Sequence, residues 1–79
     1  MQDFTFDYRK LRGRIREKYK TESAFAQAVG IGRVSLSERL NNKMDFTRLE
    51  IKKACEVLDL SAKEIPLYFF TEKVQKSEL

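Results

Sequence analysis

Arg33, Val34, Ser37 and Glu38 fall within six residues, and a helix from about Arg33 to Leu40 sets them on one outward face. Each side chain suits the edge of a base pair. Arg bonds guanine O6 and N7 together, Val meets a thymine methyl group, Ser serves either base or phosphate, and Glu accepts from cytosine N4. Each also has a plainer use. Arg33 can be a phosphate contact or a surface charge, Val34 can cover the domain's own core, and Glu38 can sit in a surface ion pair. Arg39 and Lys43 are candidate grips on a nucleic-acid backbone. Asn41 and Asn42 can donate to phosphate, but their turn-forming tendency alone explains them.

Other chemistries lack their parts. The chain has no His, and Cys55 is its one cysteine. Zinc clusters, Ser-His and Cys-His pairs and imidazole acid-base work are therefore excluded. No enzyme activity, cofactor, metal or small-molecule substrate is expected. Cys55 reads as a small buried hydrophobe.

Seventy-nine residues allow a single domain over residues 1–79, with 42% apolar and 35% charged residues, an ordinary globular balance. No apolar run approaches a membrane span, and "MQDFTFDYRK" lacks a secretory core, so the expected location is cytoplasmic. The net charge of +4 is uneven: residues 9–53 carry 13 Lys/Arg against 5 Asp/Glu. Such a basic segment suits a polyanion, nucleic acid first, and serves equally as a solvated surface.

The elements that would position these residues are legible from spacing. Phe4 to Tyr8 alternates and reads as a short strand or extended arm. Tyr8, Leu11, Ile15 and Tyr19 form one helical stripe on an otherwise basic helix, "RKLRGRIREKYK". Arg12 and Arg16 of that run, with Thr21, complete the candidate backbone contacts, although spacing alone does not decide which of its cations faces a partner. Thr21 caps a second helix, Glu22 to Val29, which Gly30 ends in a left-handed position. The third helix follows. Thr47 and Glu50 make a capping box for a fourth, with Phe46 and Ile51 as its staple. Leu49, Ile51, Ala54, Cys55 and Leu58 are its expected buried face. Ser61, Glu64, Leu60 and Ile65 repeat the device before Pro66 shortens a fifth helix. "LYFFTEKV" reads as a helix end passing into an extended tail, about residues 67–79, which can pair with the N-terminal arm. Phe69 and Phe70 are either core or a dimer contact.

Two short helices joined by a Gly-containing turn at about residues 22–40 make a helix-turn-helix. Ala26, Gly30, Ile31, Leu36 and "LNNK" resemble the lambda-repressor-like phage helix-turn-helix family, which includes Cro and the phage repressor DNA-binding domains. The resemblance covers roughly residues 8–66. The segments "FDYRKLRGRIREKY" and "IPLYFFTEKVQK" look more like a narrower group of small proteins of phages and prophages of Gram-positive bacteria. The family implies a mostly α, compact five-helix domain, with short extended segments expected at its termini. It also implies a Cro-like or repressor-like transcriptional regulator of double-stranded DNA. The expected partner is a pseudo-palindromic operator bound by a homodimer, with half-sites about 34 Å apart. Two positions depart from the pattern: Glu22 stands where the family usually has Gln, and Gly32 where it often has Ser or Thr. Glu22 is expected to repel phosphate. The alternative reading is a protein-interaction module, antirepressor-like or antitoxin-like, that retains the fold.

Overall fold

The computed structural model describes residues 5–73. Five α-helices run in order: α1 (Arg9–Tyr19), α2 (Glu22–Val29), α3 (Arg33–Leu40), α4 (Arg48–Leu58) and α5 (Ile65–Phe69), with a 3-10 turn, Ala62–Glu64, leading into α5. Among the described residues no helix is long and apolar enough to cross a membrane. The expected mostly α, five-helix domain is what forms.

Local chemistry sets the helix boundaries. The Thr21 hydroxyl accepts from Ala24 N at 3.1 Å, which starts α2. At α4 the capping box is complete: Thr47 Oγ1 accepts from Glu50 N, and the Glu50 carboxylate accepts from Thr47 N at 3.0 Å. Ser61 N donates to Glu64 Oε1 at 2.8 Å and sets the entry to α5. Pro66 lies in the first turn of α5, where its missing N–H costs nothing.

The α1 stripe is buried as its spacing requires. Tyr8, Leu11 and Ile15 join Phe25, Ala26, Leu36, Leu40, Ala54, Leu58, Leu60 and Phe69 in one core. Phe46 stacks edge-on against both Tyr8 and Phe69, at 5.5 and 5.3 Å between ring centres. Leu49 departs from expectation, being 74% exposed. Nine residues separate it from Leu58, about two and a half helical turns, so the two point to opposite sides of α4. The aromatic pair before the tail divides: Phe69 is core and Phe70 is 52% exposed.

The N-terminal arm and the segment after α5 pair as the alternation suggested. Phe6 and Glu72 form an antiparallel bridge. Asp7 N donates to Thr71 O at 2.7 Å and Lys73 N to Thr5 O at 3.0 Å. Of the expected extended segments, Phe4 and residues 74–79 lie outside the described residues.

Candidate functional site

The α2–turn–α3 unit is held by its turn and by a buried wedge. Gly30, at φ 92°, takes a left-handed conformation that an L side chain resists. Its N–H and that of Ile31 both donate to Ala26 O, at 2.8 and 3.0 Å, closing α2 onto the turn. Leu36 and Leu40 face the core, which forces the other side of α3 outward. Gly32 opens α3 without a side-chain cap.

That outward side carries the expected residues. Arg33 is exposed and Val34 is 73% exposed, so Val34 does not cover the core. Ser37 and Glu38 are half-buried, and Asn41 is exposed. Val34, Ser37, Glu38 and Asn41 fall at i, i+3, i+4 and i+7, one stripe. Asn41 Nδ2 donates to Ser37 O at 2.9 Å, so that amide closes the helix end. Lys43 is exposed in the following loop.

Two expected backbone grips are held inside the fold instead. Arg39 donates from Nε and Nη2 to the two carboxylate oxygens of Glu50, at 3.1 and 3.2 Å, and its side chain is only 13% exposed. It joins α3 to α4 and has no free guanidinium face for a ligand. Burial pushes the Glu50 carboxyl up, but hydrogen bonds from Arg39 and Thr47 N and the Arg39 charge outweigh it, leaving the group below its ordinary range. Arg12 donates to Glu22 Oε2 at 2.9 Å and to Leu40 O at 3.2 Å, tying α1 to α2 and α3. Glu22, expected to repel phosphate, is thereby neutralised in place. Arg14 likewise donates to Leu58 O at 2.9 Å, a cation at the C-terminus of α4.

Three outward-facing cations border a cleft of about 220 Å³ where the end of α1 meets the starts of α2 and α3. Arg16, Lys20 and Arg33 line it beside Thr21 and the Arg12–Glu22 pair. Thr21 has its hydroxyl engaged as the α2 cap. Among the described residues, no group of three His, Cys, Asp or Glu side chains is placed to hold a metal.

Asn42 takes the turn-forming role its residue type suggests, but its tie to the N-terminal arm has no signal in the spacing. Its backbone is left-handed, at φ 62°. Its side-chain oxygen accepts from Phe6 N at 2.8 Å while its side-chain nitrogen donates to Phe6 O at 3.0 Å. It therefore pins the N-terminal arm to the end of α3. The partner lies 36 residues away, so no local pattern announces it.

A family model described as "Protein of unknown function (DUF739)" matches residues 4–72. No curated protein matches the chain. Among solved structures, the modulator of repression (MOR) of the temperate bacteriophage TP901-1 from Lactococcus lactis is similar. It is 43% identical with a TM-score of 0.75, over 89% of this chain and 95% of that one. These likenesses support a phage protein with a regulatory, repression-related role.

Proposed function

The chain belongs to the family described as protein of unknown function (DUF739), and on that premise we propose that it modulates repression by binding a protein partner through the outer face of α3. The partner is a repressor, and the chain acts in the bacterial cytoplasm by occupancy, without chemistry. The observation that carries this reading is the character of the α3 face. Its centre is an exposed aliphatic side chain, Val34, flanked by one cation, Arg33, and one carboxylate, Glu38. An apolar centre with a mixed polar rim is the composition of a protein interface. A phosphate-tracking surface would instead keep its arginines free, whereas Arg12 and Arg39 are bonded within the fold. The likeness to a modulator of repression points the same way.

One observation favours a second reading, sequence-specific DNA binding by a homodimer. Arg16, Lys20 and Arg33 converge on the cleft at the start of α2. There Arg33, Val34, Ser37 and Glu38 would meet bases, with Arg16, Thr21 and Lys43 at the backbone.

Salt separates the two. The full chain is titrated with the repressor protein encoded in the same phage or prophage genome, and with duplex DNA selected from a random pool, at low and moderate salt. The proposal expects repressor binding that changes only a few-fold with salt. DNA binding through about six phosphates would weaken by roughly 10³ over the same range. An enriched palindromic duplex with that salt response, and no affinity for the repressor, would overturn the proposal.

A further inference from the structure

A second surface lies beside α4, on the side of that helix turned away from Glu50 and its bond to Arg39 of α3. Between α4 and the segment leading through α5 runs an open, largely apolar groove of about 350 Å³. Ile51, Cys55 and Ile65 line it, with Arg48 and Lys52 along one rim and Glu56 at the far end. Glu50 marks the side of α4 that meets α3, through Arg39. Two residues along an α-helix is about 200° of rotation, so Arg48 and Lys52 both point away from that contact. The groove and the α3 face can therefore be occupied independently.

The rim charges are placed against their own helix. Arg48 is the first residue of α4, where the positive end of the macrodipole disfavours a cation. Arg48 and Lys52 stand one turn apart and both are exposed. Among the described residues neither has a carboxylate within ion-pair distance, a state they share with Arg16, Lys20 and Arg33 but not with Arg9, Arg12, Arg14, Lys18, Arg39 and Lys53. Local stability does not account for this pair of cations beside an apolar floor.

We infer that this groove is a docking site for an acidic amphipathic helix of a partner protein. Arg48 to Glu56 spans about 12 Å, room for roughly two turns of a facing helix. Apolar side chains of such a helix, spaced i and i+3 or i+4, would seat on Ile51, Cys55 and Ile65, and its acidic flank would meet Arg48 and Lys52. The floor decides against a nucleic acid, whose charged backbone offers nothing apolar to cover it. The site does not depend on what α3 binds.

The test uses the full chain, 15N-labelled, and a synthetic peptide of about 14 residues, long enough to hold some helix, with Leu at helical spacing and Glu on its flanks. A Lys-for-Glu version of the peptide and a duplex of about 20 base pairs are run alongside. The expected result is amide shifts centred on Ile51, Cys55 and Ile65 with the acidic peptide, and none there with the other two probes. The double variant Arg48→Glu, Lys52→Glu should bind the acidic peptide at least about tenfold more weakly, with a melting temperature no lower than the parent's. Shifts centred on Val34 and Ser37, an equal response to the Lys peptide, or groove shifts produced by the duplex would each overturn the inference. None of these outcomes bears on repressor binding through α3, which is read from its own titration.

Discussion

Arg12 and Arg33 border the same cleft, yet their guanidinium groups meet different surroundings. Arg12 reaches inward, to Glu22 and to the last carbonyl of α3. Arg33 stands at the start of α3 with its side chain exposed. The same contrast repeats along α3, where Arg39 is clamped on Glu50 while Val34 is open to solvent. One set of residues forms a frame that fixes how α3 sits, and the other forms the face that α3 presents. Counting basic residues overstates the positive surface, because the frame neutralises several arginines.

The division can be broken by substitution. Leu36 is fully buried beneath α3, and Leu36→Ala should cost about 2–5 kcal/mol. That is a large share of the roughly 5–15 kcal/mol typical of a domain, so frame and face should be lost together in urea denaturation followed by circular dichroism. Arg39→Ala leaves the half-buried Glu50 carboxylate without its guanidinium and should cost about 1–3 kcal/mol. Arg33→Ala, on the face, should stay within about 0.5 kcal/mol of the parent. Equal losses for Arg33→Ala and Arg39→Ala in thermal melts would erase the distinction.

A smaller effect is expected where the arm joins the frame. Asn42→Gly keeps the left-handed backbone but removes both bonds to Phe6, and about 1 kcal/mol should be lost. Amide exchange should then quicken at Asp7 and Lys73, whose N–H groups hold the terminal bridge. Unchanged exchange at both would show that Asn42 does not secure the arm.

The smallest effect is with pH. Hydrogen bonds from the Arg9 side chain and backbone hold the Asp7 carboxyl at about 2, below its ordinary 3.8. A depressed carboxyl contributes stability that is complete above the unfolded value and lost as pH falls through the folded one. The contribution of Asp7 should therefore fade between about pH 3.8 and 2. Asp7→Asn should flatten the stability profile in that window and lower stability slightly above it, where the ionised carboxylate of the parent contributes in full.

What could be read from the chain was what neighbouring residues decide. Thr21, the Thr47–Glu50 box, Gly30 and the Tyr8–Tyr19 stripe act over a few residues, and each appears where spacing puts it. Leu49 was misassigned: hydrophobicity suggested burial, whereas the helical period sets it opposite Leu58 and it is exposed. The partners of Arg12, Arg39 and Asn42 were not legible. They depend on which helices pack together, at separations of 10, 11 and 36 residues. For the candidate site, the outward direction of α3 followed from Leu36 and Leu40. Which cations remained free to touch a ligand required the tertiary structure.

The most direct test is calorimetric titration of the full chain and of Val34→Glu with the repressor protein of the same phage genome. If the exposed aliphatic centre of α3 anchors that partner, Val34→Glu should weaken binding by at least about thirtyfold while its melting temperature holds. Undiminished affinity for the repressor in a correctly folded Val34→Glu variant would contradict the assignment of α3 as the partner-binding face.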